Sequence, residues 1–535
     1  MKLFTSNGRK LWKMLILIFS RKELKKLIYS IIQSIYHFNL GREYSAINRE
    51  RALKELGVGG KILTKNYDPN EYYDTQKFLL DHDTDVINMY DYFQGVSGIP
   101  ENPWQAVNLR EAPNIDLKQN LVNVNSDGTI EYYDHDILKM KAYPLPNSYS
   151  LLGSVDYYDY TGHIVKTDMY DWRGFKSSIK YYNQEGKLLQ QKFLNLNGDV
   201  VLDVQAMNKD NQVQTTYYKL HNYRGQNYLF DSEQSLFAFF VQMVVSEKKG
   251  KIIVDDIELA HKLAEVNSLG EDKLLYIHYN HLNYTAQRID NSYAKFLSDD
   301  APYYSGVIVA TPNQAQDLRT KINADESTVR VLPDNVIMDD VLKMPLHSRD
   351  KNKPVQIGYF GDLTTVARDF KSFMKVCAAI KKQSTKEVHF NIYTNYSQIN
   401  NLNKLMKDNG LTADDMTFYD PQVSYRFNNE VQNNMDIVID TSISDGGSMM
   451  ATTALGFGKP IVAYQANWGN NYYLQNNKNA LLSVVGNQDH FIQQALKLIN
   501  DPSLCNQLSQ KSKSEAKNKL SVSSFKSALR KAKLI

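Results

Sequence analysis

The sequence predicts an α/β protein made of two doubly wound domains, with an antiparallel β-meander inserted into the first. Apolar strands alternate with helices over residues 35–96 and again over 231–345, which is typical of parallel sheets covered by helices. Residues 97–230 instead alternate with period two, the pattern of antiparallel strands. A second doubly wound pattern covers residues 346–520. A chain of 535 residues is long enough for this many domains.

The first domain is expected to open with a short strand over Ile35–Leu40 that meets Gly41. A helix over Glu43–Leu56 and a strand over Lys61–Tyr67 follow. After the insertion, the alternation resumes with a helix over Ser232–Val245. Three further strands complete this half: Ile252–Asp255, Leu274–His278 and Val307–Ala310. Because these strands are apolar and separated by helices, they are expected to pair in parallel.

Four glycines divide the insertion at a spacing of twelve residues: Gly162, Gly174, Gly186 and Gly198. The segments around them alternate polar and apolar side chains: Ser154–Tyr160, Ile164–Tyr170, Ser177–Tyr182 and Leu188–Leu194. Strands joined by tight turns account for this spacing, so we expect a series of hairpins. An antiparallel sheet can leave one face in water. Two interpretations of that face stay open: a structural platform, or a surface on which a polymer docks.

The second doubly wound domain begins with a strand over Val355–Phe360. Its later strands are expected at Val388–Tyr393, Met416–Tyr419, Asp436–Thr441 and Pro460–Tyr464. A helix over Gln488–Asn500 and a lysine-rich tail, residues 521–535, close the chain. Two such domains would face each other across a cleft, with ligands bound at the carboxyl ends of the strands.

Residues 1–34 are predicted to be a basic N-terminal extension, with eight Lys or Arg and one acidic residue within residues 1–30. The apolar run Met14–Phe19 is too short to span a bilayer, and no small-residue cleavage site follows it. Apolar side chains then recur at helical spacing: Leu24, Leu27, Ile28, Ile31, Ile35 and Phe38. Two interpretations of this amphipathic helix stay open. It lies on an anionic membrane face, or it packs on the protein with its basic side in water.

The composition excludes several classes of function. Charged residues make up 23% and hydrophobic residues 42%, as in ordinary soluble proteins, and a net charge of +3 is too small to indicate a nucleic-acid partner. Cys377 and Cys505 are the only cysteines, so a reducing cytoplasm is predicted. No His or Glu completes a metal site with Asp436, Asp440 and Asp445. No Ser/His/Asp or Cys/His arrangement indicates a hydrolase.

Residues 435–464, MDIVIDTSISDGGSMMATTALGFGKPIVAY, are the most informative stretch of the chain. A strand runs into Gly446 and Gly447, a short helix follows, and Lys459-Pro460 leads into a second strand. Two interpretations of the glycine pair stay open. The glycines could cradle a phosphate at the N-terminus of the helix, or they could only allow a tight strand-to-helix turn.

Four further segments are GREYSAINRERALKELG, DVINMYDYFQGV, SVDYYDYTGHIVKTDMYDWRGF and IHYNHLNYT, which begin at residues 41, 85, 154 and 277. With residues 435–464, they resemble the glycosyltransferases that place GlcNAc on serine-rich adhesins, the GtfA/GtfB pair of the accessory Sec system. The related wall-teichoic-acid α-GlcNAc transferases are similar too. The resemblance covers about residues 36–520 and includes the meander. It implies a GT-B glycosyltransferase fold, two Rossmann-like domains with an inserted sheet, and a donor site that needs no metal.

The same resemblance implies that the sugar-nucleotide site of this chain is degenerate. Active members bind the donor sugar and the ribose with two glutamates, and the matching positions here hold Asp445 and Thr453. Asp445 is one methylene short, and Thr453 carries no charge. His281 falls where an active member has a histidine near the donor sugar. We expect His281 and Asp445 to be vestigial, or His281 to serve the acceptor side.

The basic side chains that bind the diphosphate are expected to be missing as well. Active members carry an Arg and a Lys after the strand at Val355–Phe360, and the matching positions here hold Asp362 and Ala367. Arg368 is one position away, and a helical rotation of about 100° per residue would aim it elsewhere. A hydrogen bond to a charged group contributes about 1.5–3 kcal/mol. With the ribose contact, the losses reach roughly 5–8 kcal/mol, a factor of about 10³ to 10⁶ in donor affinity.

The resemblance therefore implies a non-catalytic, GtfB-type subunit that pairs with a catalytic GtfA-type homologue in the cytoplasm, near the inner face of the membrane. The partner would use UDP-GlcNAc, and this chain would bind no cofactor tightly. This chain would stabilise the partner and bind a Ser/Thr-rich acceptor protein. Exposed aromatics of the meander are the expected contacts, and the alternation leaves open which of them point outward: Tyr157, Tyr158, Tyr170 and Trp172.

Two alternatives stay open. The first is an active retaining glycosyltransferase with a rewired donor site, acting on protein or teichoic acid, in which His281, Arg368 and Asp445 would be indispensable. The second is an assembly scaffold with no sugar-related ligand.

Overall fold

The computed structural model shows how these segments pair and pack. It describes residues 27–36, 39, 41–79, 85–100, 108–109, 120–146, 148, 150–209, 212–266, 269, 272–283, 288–347, 349, 352–361, 370–394, 399–419, 435–444, 446–447, 449–466 and 468–535.

The first lobe is built on a seven-stranded parallel sheet. In spatial order, its strands are Val329–Val331, Val307–Val309, Lys273–Ile277, Lys251–Val254, Leu27–Ile32, Gly59–Thr64 and Val86–Asn88. The order reverses between Leu27–Ile32 and Lys251–Val254, where the chain returns from the insertion. Such a reversal opens a crevice at the carboxyl ends of the strands.

The strand Leu27–Ile32 corrects the reading of the amino terminus. It runs through the middle of the expected amphipathic helix and ends before the expected strand Ile35–Leu40, so both expectations are wrong. All six of its residues are buried. A strand buried on both faces is a continuous apolar run, which periodicity does not distinguish from a helix. The first lobe therefore includes part of the segment 1–34, whose residues 1–26 lie outside the described part of the chain.

Helices cover this sheet. They are Gly41–Glu55, Glu71–Leu79, Met89–Gln94, Glu233–Glu247, Ile257–Ala264, Asn291–Lys295 and Pro312–Ile322. The short helix Asp339–Lys343 instead packs on the second lobe, where Val341 joins the core. A π-helical turn, Phe296–Asp300, and a 3₁₀ turn, Ala301–Tyr303, lie between them. The expected helices in the segments 43–56 and 232–245 are confirmed within two residues at each end.

The insertion is a ten-stranded antiparallel sheet in which each strand pairs with its neighbours in sequence. Its strands are Asn120–Val124, Ile130–Asp134, Ile137–Pro144, Leu152–Tyr158, Ile164–Tyr170, Lys176–Tyr182, Leu188–Leu194, Val200–Lys209, Gln212–Tyr223 and Gln226–Phe230. At one turn, Gly174 has φ +90° and donates its N–H to the carbonyl of Asp171 at 2.9 Å. A carboxylate oxygen of Asp171 accepts the N–H of Arg173 at 2.8 Å. An Asp or Asn three residues before each of the other three glycines closes its hairpin similarly, which explains the spacing.

The second lobe carries a six-stranded parallel sheet. Its order is Met416–Tyr419, Val388–Tyr393, Val355–Phe360, Ile437–Asp440, Ile461–Tyr464 and Ala480–Ser483. The five expected strands are confirmed within one residue, and Ala480–Ser483 was not predicted. Helices Phe370–Gln383, Ile399–Asp408, Met449–Gly456, Trp468–Tyr473 and Gln488–Asn500 surround it.

The C-terminal segment returns to the first lobe. After the helix Pro502–Lys519, the helix Val522–Lys531 replaces the expected tail at 521–535. Phe525 and Leu529 are buried in one cluster with Ile28 of the first sheet. The two lobes are thus connected both at the linker near residue 345 and through this helix. None of the described helices combines the length and the apolar composition needed to cross a bilayer.

Candidate functional site

The carboxyl ends of the two parallel sheets face each other, and the glycine pair lies at their contact. A side chain on Gly446 would overlap the backbone carbonyl of His278, and one on Gly447 would overlap the carboxylate of Asp334. The close approach of the first lobe therefore explains why both positions are glycine. It also places a carboxylate beside the turn that was one candidate for a phosphate cradle.

A buried charge network supports the first-lobe side of this contact. Asp255 binds the Arg49 guanidinium through one oxygen at 2.5 Å and His278 Nε2 through the other at 2.8 Å. His278 Nδ1 lies 2.8 Å from Asp334 Oδ1, and the imidazole stacks on Tyr276 with ring centroids 4.0 Å apart. Burial alone would lower the pKa of His278, but Asp334 and Asp255 raise it to about 9. With His278 protonated, two cations balance two carboxylates.

His281 lies on the same loop and is fully buried. Its Nε2 lies 2.8 Å from Asp317 Oδ2, and no described residue hydrogen-bonds to its Nδ1. Burial lowers the pKa of His281, and Asp317 partly opposes this shift. A neutral imidazole that donates through Nε2 keeps an acceptor at Nδ1. This nitrogen is itself buried and has no hydrogen-bond partner among the described residues, and the role of His281 stays a prediction.

A tryptophan of the second lobe closes this part of the cleft. The indole N–H of Trp468 donates to Asn280 Oδ1 at 2.9 Å, and Asn280 Nδ2 donates to Ser444 Oγ at 3.3 Å. The ring centroid of Trp468 lies 5.3 Å from that of His281. Asn280 therefore bridges two segments of the opposite lobe.

Thr453, at the position expected to bind a ribose, instead takes part in an interlobe contact. Asn335 Nδ2 lies 3.2 Å from Thr453 Oγ1 and 3.1 Å from Thr452 Oγ1. Asn335 Oδ1 accepts the amide of Asn48 at 2.8 Å. A threonine here thus hydrogen-bonds to the first lobe.

The remaining predicted donor-site positions, Asp362, Ala367, Arg368 and Asp445, lie outside the described residues, so their roles stay predictions. In the part of the chain that is described, no three His, Cys, Asp or Glu side chains form a group suited to a metal ion.

Two of the four aromatic residues expected to be exposed on the meander are buried. Trp172 stacks on Tyr73 with ring centroids 4.3 Å apart, and Tyr170 belongs to a buried cluster of the sheet. Tyr157 is half-buried and donates its hydroxyl to Asp168 at 3.1 Å, while Tyr158 is also half-buried. The expected exposure of Tyr170 and Trp172 is therefore wrong, because both residues pack inside the protein.

Sequence reasoning missed Asp334, Asn335 and Trp468. Each follows a short parallel strand by three to four residues, after Val329–Val331 or Ile461–Tyr464. Residues in this position lie at the ligand-binding edge of a doubly wound sheet. That rule could have identified Asp334 and Asn335 had the strand Val329–Val331 been predicted, and it already applied to Trp468 after the predicted strand Pro460–Tyr464.

Comparisons with known proteins agree with this architecture. Residues 347–515 match the family model for glycosyl transferases group 1, and residues 121–224 match the model for the GtfB middle domain. The chain is 20% identical over 512 residues to a poly(ribitol-phosphate) alpha-N-acetylglucosaminyltransferase of Staphylococcus aureus. The match covers 94% of this chain and 98% of the relative.

Solved structures extend the likeness to the whole fold. A mutant of S. aureus TarM in complex with fondaparinux, α-GlcNAc-glycerol and UDP has a TM-score of 0.75 at 17% identity, covering 95% of this chain and 99% of that one. The pneumococcal O-GlcNAc transferase GtfA, in complex with UDP and GlcNAc, has a TM-score of 0.74 at 16% identity, covering 95% and 98%. A GtfA/B complex has a TM-score of 0.69 at 16% identity, covering 94% and 98%.

The predicted fold class is confirmed: the chain has the GT-B glycosyltransferase fold, with two parallel sheets and an inserted antiparallel sheet. The chain is glycosyltransferase-like and related to the GtfA/GtfB proteins and to TarM.

Proposed function

We propose that this chain is a non-catalytic subunit of a protein O-GlcNAc transferase complex. It binds the acceptor polypeptide and stabilises a catalytic GtfA-type partner, which uses UDP-GlcNAc to modify a Ser/Thr-rich surface protein. The complex works in the cytoplasm, on or near the inner face of the cell membrane.

The observation that carries this proposal is the contact between Asn335 and Thr453. A ribose diol needs a strong acceptor, and a carboxylate supplies one, whereas a threonine hydroxyl is a weaker partner. Here that hydroxyl already lies 3.2 Å from Asn335 Nδ2. A nucleotide would have to compete with this contact and with the one from Asn335 to Thr452.

The electrostatics of the glycine turn support the same conclusion. Asp334 lies directly against Gly447, on the side that faces the first lobe. Its charge is shared with His278, but a diphosphate brought to this turn would still approach a carboxylate. Repulsion between like charges disfavours that arrangement. The predicted absence of the diphosphate-binding Arg and Lys weakens donor binding further.

A second candidate is an active retaining glycosyltransferase that acts on protein or teichoic acid. The similarity to the S. aureus poly(ribitol-phosphate) transferase supports it, because it covers 94% of this chain. The buried His281, whose Nδ1 has no hydrogen-bond partner among the described residues, also supports it. In this case the donor would be held by groups different from those of the relatives.

Calorimetric titration of the purified full chain with UDP and UDP-GlcNAc separates the two candidates. The proposal expects a dissociation constant of about 1 mM or higher for either nucleotide, since the missing contacts weaken a micromolar site by about 10³-fold or more. Micromolar binding of either nucleotide, or GlcNAc transfer by the isolated chain, overturns it.

Two further measurements test the positive part of the proposal. A catalytic GtfA-type homologue, co-expressed with this chain, should co-purify with it and show a higher melting temperature than when expressed alone. A Ser-rich acceptor peptide should bind the isolated chain, and Tyr158→Ala should weaken that binding if the half-exposed meander face contributes. If the chain binds neither the GtfA-type homologue nor the Ser-rich peptide, the proposal is wrong and the assembly scaffold is the remaining candidate.

A further inference from the structure

The second lobe contains a cavity at the edge of its sheet opposite to the glycine turn. Its volume is about 640 Å³, and it lies where the amino ends of four parallel strands meet. Residues from three sources line it: the linker that leaves the first lobe, the loops that precede the strands, and the first turns of the helix Pro502–Lys519. The cavity is therefore separate from the cleft discussed above.

The lining of this cavity carries an excess of positive charge. Four side chains are Lys or Arg and two are acidic, so basic side chains outnumber acidic ones by two. The cations are Arg349, Lys353, Lys386 and Lys459, and the acids are Glu387 and Asp436.

The deepest cation of the cavity is Lys459, whose side chain is 2% exposed. Burial lowers its pKa to about 7, despite the opposing effect of Asp436. One oxygen of Asp436 accepts the backbone N–H of Gln356 at 2.9 Å, and the other lies 3.2 Å from His347 Nε2. The Asp436 carboxylate therefore already interacts with the Gln356 N–H and lies beside His347. An additional anion in the cavity would stabilise the charged form of Lys459.

We infer that this cavity binds a small multivalent oxyanion of the phosphate class, with Lys459 at its floor and Arg349 and Lys386 at its mouth. Arg and Lys are the side chains that recognise phosphate oxygens, and their charge-assisted hydrogen bonds are short and strong. The walls come from the outgoing linker and from the helix that precedes the return to the first lobe. A bound oxyanion would link these two elements.

Inorganic pyrophosphate is the probe, titrated calorimetrically into the full chain and followed by the melting temperature. The variants are Arg349→Ala and Lys386→Ala, which alter side chains near the mouth, and Lys459→Met at the floor. Each should weaken binding about tenfold or more, because each removes a charge-assisted contact. Lys382→Ala is the matched control, since Lys382 is exposed on the helix Phe370–Gln383 and does not line the cavity.

Equal affinity in wild type and in the Lys386→Ala and Arg349→Ala variants overturns the inference, as does an equal loss in Lys382→Ala. Because Lys386 and Arg349 lie outside the core, these two variants remain informative if Lys459→Met does not fold. A second readout is proton uptake on binding at pH 8, measured in buffers of different ionisation enthalpy. Lys459→Met should reduce this uptake.

A parallel titration with UDP keeps this inference distinct from the proposed function. Weak UDP binding that disappears in Lys386→Ala belongs to this cavity. Micromolar UDP binding that survives in Lys386→Ala and Arg349→Ala belongs to the cleft between the lobes and contradicts the non-catalytic proposal instead. Inorganic phosphate in place of pyrophosphate tests the need for more than one phosphate group, and weaker binding of phosphate is expected.

Discussion

The side-chain amide of Asn335 reaches across the two lobes and lies 3.2 Å from the hydroxyl of Thr453. Asn335 belongs to the loop after the edge strand of the first sheet, whereas Thr453 lies in the helix Met449–Gly456 that follows the glycine pair. The contact therefore joins the ligand-binding edges of both sheets. It gives Thr453 a structural partner at a position where the relatives are expected to have a carboxylate.

Thr453→Val should destabilise the chain by about 1 kcal/mol, since it removes one partner of a partly buried hydrogen bond. Asn335→Ala should cost more, because it removes the bonds to Thr452, Thr453 and Asn48 together. Urea denaturation measures both. Thr320→Val, at an exposed position on the helix Pro312–Ile322, is the control and should change the midpoint little. Equal changes in the urea midpoint for Thr453→Val and Thr320→Val would show that the hydrogen bond between Asn335 and Thr453 contributes nothing to stability.

Gly447→Ala should destabilise the contact between the lobes by about 1–3 kcal/mol, the usual cost of overpacking. The added methyl group would overlap the carboxylate of Asp334. Gly41→Ala is the control, because its added methyl group meets no atom within 4 Å. In a double-mutant cycle, the cost of Gly447→Ala should fall when Asp334 is also changed to Ala. A cost that is independent of Asp334 would show that overlap with this carboxylate is not its source.

The His278 network predicts a pH dependence of stability. The pKa of His278 rises from an ordinary 6.5 to about 9 in the folded state, so the folded protein holds this proton more tightly. The stabilisation is fully present below about pH 6.5 and disappears as pH rises through about 9. A shift of this size corresponds to about 3 kcal/mol.

Urea denaturation of wild type and His278→Gln at several pH values measures this effect. The difference between the two proteins should shrink as pH rises, whereas a constant difference would contradict the assignment. The difference in unfolding free energy between the two proteins is used because Glu71 titrates in the same pH range. Burial raises the pKa of Glu71 to about 8. The contribution of Glu71 is common to both proteins and cancels.

A buried arginine fastens the meander to the first lobe, and its loss should be costly. Arg173 binds Asp91 through Nη1 and Nη2 at 2.9 and 2.7 Å and Asp171 through Nε at 2.7 Å, and its side chain is 2% exposed. Arg173→Met should cost about 3–5 kcal/mol, because it leaves two carboxylates without their cation. Urea denaturation measures the loss.

The control for this prediction is Arg224→Met. Arg224 pairs with Glu247 on the surface, where both side chains are about half exposed, so removal of its charge should have little effect on stability. If both substitutions cost the same, the meander is not held by the Arg173 network.

Long elements of this fold could be predicted from the sequence because their patterns are unambiguous. The strands Val388–Tyr393 and Leu188–Leu194 were predicted to the residue, since turn residues or helices bound them clearly. The strand Leu27–Ile32 was not, because a central parallel strand lacks a polar face and its apolar positions also fit a helix. The edge strand Val329–Val331 has three residues and carries too little pattern to detect.

The candidate site was less predictable for a different reason. The glycine pair and His281 could be identified because they lie in motifs of contiguous sequence. The partners that explain them, Asp334, Asn335 and Trp468, are distant in sequence and meet them only after the lobes pack together. The predicted exposure of Trp172 on the meander was wrong for the same reason, since Tyr73 from the first lobe covers this side chain.

Binding of the nucleotide donor should be restorable by substitution of the residues expected to weaken it. The triple variant Asp362→Arg, Ala367→Lys and Thr453→Glu replaces the three groups whose loss is expected to weaken donor binding by roughly 5–8 kcal/mol. Calorimetric titration should show UDP binding that improves on wild type by at least about tenfold, because two cations again face the diphosphate. Thr453→Glu alone is the control and should gain less than the triple variant, since it restores only the ribose contact and supplies no cation for the diphosphate. If wild type binds UDP as tightly as the triple variant does, the chain binds the nucleotide through other residues. That result would favour the active-enzyme candidate.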